Sequence, residues 1–307
     1  PCSSCPYRCD APSGLWAAVE YEKLVAYERD TANKPTNLFL CHQNNAEVTT
    51  RSARATPTEP GPFPALSRAD RDSPLPEETP MNYPGPAAAL AEAAIREGRR
   101  ELSIALRGAA MFGLNEGVCN HFSLDLGGDR YLINPQGLHW SEVQPDDILL
   151  IDGDGNVLDG RHSLEPTAFF IHSWIHRINP RARCVLHTHM PYATALTLVS
   201  DGRLAWCNQN TLRFHGRVAY DDVYNGLALD EAEGRRIAGM VGDADVLFMA
   251  SHGVTVVGQT VPWAFDDLYY LERACLHQTL ATQHAGGRPL REISPEMCAQ
   301  VSRQIAG

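Results

Sequence analysis

A proline-rich stretch divides this chain and limits where a stable fold can form. Nine of the 21 prolines lie between residues 57 and 86, interleaved with Ser, Thr, Arg and Asp. Because proline fixes φ and lacks a backbone N–H, such a stretch sustains neither a helix nor a sheet ladder. We therefore predict that residues 1–80 are an extension and linker without stable structure, and that one folded domain occupies residues 81–307. Met81, where the globular pattern begins, is the expected native start.

The extension contains a cysteine-rich segment that allows two interpretations. Its cysteines, with one histidine, are Cys2, Cys5, Cys9, Cys41 and His42. Thiolates at C-x-x-C spacing can share a tetrahedral zinc ion. The spacing to the remaining ligands fits no pattern for such a site, so we favour cysteines with no shared role. A basic segment followed by an apolar one is missing there, which argues against a secretory signal.

Charge and composition exclude several classes of partner. Lys and Arg number 26 against 37 Asp and Glu, which gives a formal net charge of −11. This balance argues against a nucleic-acid backbone or an anionic membrane as the main partner, since both bind basic surfaces. No apolar run approaches the roughly 18 residues of a spanning helix. Nine cysteines, an odd number without a disulfide pattern, favour a reducing compartment, and we predict a cytoplasmic protein.

Hydrophobic periodicity in the main domain predicts an α/β fold. Apolar residues at helical spacing predict helices at 87–112, 166–178 and 262–284. Alternating or apolar runs predict strands at 119–126, 130–134, 148–152, 157–158, 184–189 and 246–257, the last one continuous through Gly253. Some strands follow one another as hairpins and others alternate with helices, so we expect a mixed, mostly antiparallel sheet with helices on both faces.

Two histidines on one predicted strand provide the strongest chemical signal. Side chains alternate between the faces of a strand, so His187 and His189 point the same way and can converge on one ion. His252 is the best candidate for a third ligand, because an unpartnered imidazole inside an apolar strand would be costly. The pair alone leaves a structural role open, since H-x-H is a weak motif.

Six ordered motifs resemble the class II aldolase and adducin head-domain family, and they read closest to its adducin-like branch. They are GVCNHFS at 117–123, LINPQGL at 132–138, IHSWIH at 171–176, VLHTH at 185–189, SHG at 251–253 and YLERAC at 270–275. The resemblance covers about residues 90–285. It implies a three-layer α/β/α sandwich with a mostly antiparallel central sheet, assembled as a homotetramer with active sites between subunits. It also implies that His187, His189 and His252 bind a divalent metal, with zinc expected and manganese or iron as alternatives.

The resemblance implies a metal-dependent carbon–carbon lyase, of aldolase or decarboxylase type, that works through a metal-stabilised enediolate. Sugar-phosphate aldolases of the family carry a Ser-Ser-Glu stretch, and here Ala168 stands at the glutamate position, after Pro166 and Thr167. Glu165 is our candidate acid/base, and the alternative is a loop carboxylate that stabilises the helix N-terminus. Loss of the serine pair favours a small, unphosphorylated hydroxy or keto substrate.

Residues of two turns are the candidate substrate contacts. The family pattern places Asn120 and His121 in one pocket loop and Gly137 in the second, although all three are also typical hydrogen-bonded turn residues. His172 and His176 share a helix face at a spacing that could hold zinc, but we interpret both as structural. An adducin-like scaffold without catalysis, or an epimerase or oxygenase with the same metal site, remains the alternative function. All three ligand histidines are present, which favours an enzyme.

Overall fold

The computed structural model describes residues 86–306. Within that range the helices are α1 Pro86–Met111, α2 Pro166–Ile178, α3 Pro191–Thr197, α4 Glu231–Val241, α5 Val261–Ala285 and α6 Pro295–Ala306. The strands are β1 His121–Asp125, β2 Arg130–Ile133, β3 Leu149–Asp152, β4 Val157–Asp159, β5 Cys184–Thr188, β6 Val218–Asp221, β7 Val246–Met249 and β8 Gly253–Gly258. Short 3₁₀ turns lie at Pro145–Asp147 and Gln209–Phe214.

All eight strands form one sheet in the order β4-β3-β2-β1-β5-β8-β7-β6. β6 and β7 run parallel, and the other neighbouring pairs are antiparallel. This confirms the predicted mixed, mostly antiparallel sheet. The central pairing of β5 with β1 and β8 matters most for function, because it places His187 directly between His121 and Thr255.

Apolar side chains cover both faces of the sheet, as a three-layer α/β/α sandwich requires. On one face, Leu106 of α1 and Leu268 of α5 pack with Leu186 of β5 in the larger core. On the other, Ile175 of α2 packs in a second core with Val185, the strand neighbour of Leu186. The alternation of neighbouring strand residues between two cores confirms the predicted fold class.

Local sequence signals explain where several elements begin and end. The hairpin between β1 and β2 turns through Gly127, Gly128 and Asp129, all of which have positive φ. α2 begins at Pro166, whose missing N–H costs nothing in the first helical turn, and Asn179 caps its end. The predicted helices and most of the predicted strands are confirmed within two residues or so of these bounds.

One predicted element is wrong. Residues 246–257 form two antiparallel strands, β7 and β8, rather than one continuous strand. Ser251, with φ of 55°, reverses the chain, and the N–H of His252 donates to the carbonyl of Met249 at 3.1 Å. Both strands are buried on both faces and are apolar runs, and Ser251-His252-Gly253 between them is equally compatible with a turn and with a polar interruption in one strand.

Sequence periodicity also left some elements unpredicted, namely α3, β6, α4 and α6. The predicted extension and linker at 1–80, including its cysteines, lie outside the described residues. Within residues 86–306 no helix is both long and apolar enough to cross a membrane.

Candidate metal centre

His187 lies on a central strand of the sheet, near the C-terminal end of β5. Its side chain is buried, and its Nδ1–H donates to the backbone carbonyl of Val254 in the neighbouring strand at 3.0 Å. A neutral imidazole has one N–H, so this bond leaves a lone pair on Nε2. Burial lowers the pKa of His187 well below its ordinary value, which keeps the ring neutral.

His189 is the first residue after β5, and a side chain rather than a backbone carbonyl holds its ring in place. Its Nδ1–H donates to Oε2 of Glu116 at 2.6 Å, since a carboxylate can only accept. In the neutral ring the lone pair of His189 is therefore also on Nε2. The two Nε2 atoms, of His187 and His189, lie 3.2 Å apart. Glu116 was not predicted as a site residue.

His252 enters the cluster from the turn between β7 and β8. The ring centroid of His252 lies 4.8 Å from that of His187 and 4.9 Å from that of His189. One nitrogen from each of the three rings lies within 4.8 Å of the others. Gly253 makes this approach possible, because a Cβ there would lie 2.6 Å from the carbonyl oxygen of Thr188 and 2.7 Å from Cδ2 of His189.

The protonation states of this cluster fit a cation. With both Nδ1 protons donated elsewhere, the Nε2 atoms of His187 and His189 present two lone pairs to each other at 3.2 Å. Between two neutral rings such a contact is no hydrogen bond, because neither Nε2 atom then carries a proton. Two ligands at about 2.0–2.1 Å from a tetrahedral zinc ion would be separated by roughly 3.3 Å, close to the observed spacing. Burial also lowers the pKa of His252 to about 4, which favours the neutral, metal-competent form of that ring.

Glu165 is the N-cap of α2 and lies beside His121. Its Oε2 accepts hydrogen bonds from Ala168 N at 2.7 Å and from Thr167 Oγ1 at 2.5 Å. The same oxygen lies 3.4 Å from Nε2 of His121. Burial lowers the pKa of His121 to about 4, and the Glu165 carboxylate opposes that shift. Glu165 therefore has the capping contacts of the structural alternative and also a contact with a predicted substrate residue.

The other predicted substrate residues differ in their surroundings. Asn120 is buried with φ of 145°, and its side chain accepts the N–H of Glu116 at 2.9 Å, so it holds the turn. Its Nδ2 is buried without a hydrogen-bond partner among the described residues. Gly137 has φ of 79° and open space where a Cβ would lie. Substrate contact by Asn120, His121 and Gly137 stays a prediction.

His172 and His176 form a second buried cluster with Ser123, which was not predicted to link them. His176 donates Nδ1–H to the carbonyl of Ala182 at 2.5 Å, so its Nε2 accepts the Ser123 hydroxyl at 2.7 Å. The same Ser123 oxygen then accepts Nδ1–H of His172 at 2.6 Å. Both rings are therefore held by hydrogen bonds to other groups of the protein, which fits the structural role that we assign to them from the sequence.

Comparison with known protein families identifies the family of this chain. A family model, the Class II Aldolase and Adducin N-terminal domain, matches residues 100–279, more than half of the chain. The chain belongs to this family, which confirms the resemblance found in the sequence. A second model, of a family of unknown function, matches residues 1–55, outside the described part.

Individual relatives support the same assignment. A Caulobacter vibrioides protein named for the class 2 aldolases is 30% identical over 213 residues, 68% of this chain and 81% of its own length. The decarboxylase NovR of Streptomyces niveus is 31% identical over 178 residues, 58% of this chain and 64% of its own. The solved structure of an aldolase II superfamily protein from Pseudomonas syringae superposes with a TM-score of 0.64 at 33% identity, covering 69% of this chain and 85% of that one.

Proposed function

We propose that this protein is a divalent-metal-dependent carbon–carbon lyase, of aldolase or decarboxylase type, that acts on a small, unphosphorylated hydroxy or keto compound. His187, His189 and His252 hold the metal, with zinc the expected ion. The observation that supports the proposal is the pair of Nε2 lone pairs 3.2 Å apart, with the third histidine beside them. An ion bound there supplies Lewis-acid stabilisation of the negative charge that develops on a carbonyl oxygen when the adjacent bond breaks.

Glu165 is the residue of this chain that we propose moves the proton. Its Oε2 is anchored by the first turn of α2 and by Thr167, so the carboxylate has a fixed position. Among residues 86–306, no group forms a hydrogen bond to its Oε1, which leaves that oxygen available to a substrate. His121, 3.4 Å from Oε2, orients the carboxylate from the side of β1 and also contributes a wall of the substrate pocket.

The same contacts support an unphosphorylated substrate. The N-terminus of a helix binds phosphate through its free backbone N–H groups. In α2 the Ala168 N–H is donated to the Glu165 carboxylate, and Pro166 has no N–H. A negative side chain therefore occupies the place at this helix N-terminus where a phosphate would bind.

Metal analysis of the purified protein tests this function. We expect about one divalent ion per chain in the native protein, loss of that ion in the His187→Ala variant, and its retention in His284→Ala, a matched change at an exposed histidine. A folded native protein that binds no zinc, manganese or iron would contradict the proposal. With the metal present, retro-aldol and decarboxylation assays on hydroxy and keto acids, beside phosphorylated sugars as the contrast, identify the reaction.

Activity of a Glu165→Gln variant tests the acid/base role. The amide keeps the acceptor for Ala168 N–H but transfers no proton, so we expect kcat to fall by about 100-fold or more. Unchanged activity would contradict the acid/base role and leave Glu165 with its role as the N-cap of α2. The measurement is steady-state kinetics on the substrate found above, with metal content checked in each preparation.

An adducin-like scaffold is the second candidate function. It is favoured by Ala168, which replaces the glutamate of the sugar-phosphate aldolases, and by the capping contacts of Glu165. An epimerase or oxygenase built on the same histidines is a further version of the enzyme. Metal content separates scaffold from enzyme, and product analysis separates the enzymes.

The predicted homotetramer and cytoplasmic location belong to the same proposal. We propose that neighbouring subunits complete the substrate pocket. Light scattering of the purified chain should give four times the chain mass of 33.7 kDa, and a monomer with full activity would contradict the shared pocket.

A further inference from the structure

The loop that precedes β1 holds Glu116 in a fixed place, although 65% of its side chain is exposed. The N–H of Glu116 donates to the side-chain oxygen of Asn120 at 2.9 Å, and its carbonyl accepts the N–H of Cys119 at 3.0 Å. Asn120 itself is fully buried, and its carbonyl accepts a hydrogen bond from Asn134 Nδ2. The backbone of Glu116 is therefore tied to the buried end of β1.

From this position the Glu116 carboxylate reaches His189 across 73 residues of sequence, at 2.6 Å from Nδ1. The corresponding Nδ1–H of His187 is taken by a backbone carbonyl, that of Val254. Both partners can only accept, so each forces the proton onto Nδ1 and the lone pair onto Nε2. The two differ in charge: the carboxylate also increases the electron density of the ring that it holds, and a charged acceptor makes a stronger hydrogen bond.

We propose that Glu116 is the positioning residue of the metal centre: it fixes the tautomer and orientation of His189 and raises its affinity for the ion. This inference rests on the proposed metal site and adds to it a residue outside the three ligands. Because the same residue is bonded to Asn120 through its backbone, the metal ligand and a predicted substrate loop share one support. Movement of that loop then changes the geometry of His189.

Zinc affinity of Glu116 variants tests this role in the full-length protein, by competition with a chromophoric chelator. We expect Glu116→Ala to weaken zinc binding about 10- to 100-fold. Glu116→Gln keeps a neutral acceptor and should lose less, and the d–d spectrum of the cobalt-substituted protein should shift in Glu116→Ala and return toward the native form in Glu116→Gln. Glu142→Gln removes one exposed carboxylate elsewhere and should leave the affinity unchanged.

The outcomes separate this inference from the proposed function. If the native protein binds no metal, the proposed function fails. If the native protein binds zinc and Glu116→Ala binds it equally well, the positioning role alone is overturned. An equal loss in Glu142→Gln would overturn it too, since the effect would then be one of net charge. Thermal unfolding of the metal-free variants shows whether the loop before β1 stays folded. If Glu116→Ala unfolds at a lower temperature than the native protein, the zinc affinity and cobalt spectrum of the isosteric Glu116→Gln test the positioning role instead.

Discussion

Two histidine clusters lie on the same side of the sheet and differ in what separates their ring nitrogens. In the cluster of His172 and His176 a hydroxyl, that of Ser123, lies between the rings and accepts from one while it donates to the other. In the cluster of His187 and His189 nothing of the protein lies between the two Nε2 atoms, 3.2 Å apart. Burial lowers the pKa of His172 and His176 in the first cluster and of His187 in the second, which favours the neutral form of these three rings. The difference teaches that a hydroxyl group between two histidines completes a structural cluster, whereas two ring nitrogens that face each other with nothing between them are arranged as candidate metal ligands.

Removing a histidine from each cluster should separate metal binding from stability, with the largest effect at the metal. We expect His252→Ala to weaken zinc binding by more than roughly 100-fold, the upper limit expected for Glu116→Ala. The effect is larger because this variant lacks one of the proposed metal ligands, whereas Glu116 only holds a ligand in place. His176→Asn should retain the metal. Chelator competition on both variants gives the comparison, and it would break down if His176→Asn lost the ion as readily as His252→Ala.

The pH dependence of folding should report the second cluster. Burial lowers the pKa of His176 from 6.5 to about 4. Below pH 6.5 the unfolded chain therefore binds a proton that the folded chain rejects, and stability falls as the pH falls toward 4, by about 3 kcal/mol from this residue. Urea unfolding of the metal-free protein between pH 7 and 4 measures the slope.

The His176→Asn variant is the control for that slope. Other buried histidines, such as His121 with its pKa of about 4, add their own loss of stability in the same pH range. The difference between native protein and variant isolates His176. Parallel curves for the two proteins would contradict the assignment of this group as a buried neutral acceptor.

Removing the hydroxyl between His172 and His176 should have a smaller effect. Ser123→Ala leaves two buried ring nitrogens without the group that they share, and an unsatisfied buried polar atom costs about 1–3 kcal/mol. We expect a loss of that size in the free energy of unfolding, with zinc affinity unchanged. Ser103→Ala, at a buried serine of α1 that bonds only the local backbone carbonyl of Arg100, is the matched control.

The smallest effect on the free energy of unfolding is expected at Glu165, the N-cap of α2, whose carboxylate lies beside His121. Glu165→Ala removes the N-cap of α2 and should cost about 1 kcal/mol. Glu165→Asn keeps a capping side chain and should restore most of that stability. If both variants were as stable as the native protein, the capping contact would have no energetic weight, and thermal unfolding distinguishes the cases.

Much of this architecture is predictable from the sequence because its signals are local. The β1–β2 hairpin follows from Gly127-Gly128-Asp129, and the start of α2 follows from Pro166. The alternation of a strand places His187 and His189 on the same side, and the ordered motifs point to the family, which the comparisons confirm. The metal role of His187, His189 and His252 and the catalytic role of Glu165 stay predictions.

What the sequence does not predict depends on contacts between distant residues. Glu116 meets His189 across 73 positions, and Ser123 meets His172 across 49, so no spacing rule points to either contact. The turn at Ser251 is hidden for a different reason. The strands on both sides of it are apolar, and Gly253 is equally typical of a bent strand and of a close approach.

The candidate ligands lie at the rim of the sheet, where β5 ends and β8 begins. An ion held by His187, His189 and His252 would cross-link two antiparallel neighbours and the reverse turn that leads into one of them. Fraying of that rim would then require release of the ion, so the population of the locally opened state would fall as the concentration of free metal rises. Without the ion the rim would lose that restraint, and its amide protons would exchange faster than in the metal-bound protein.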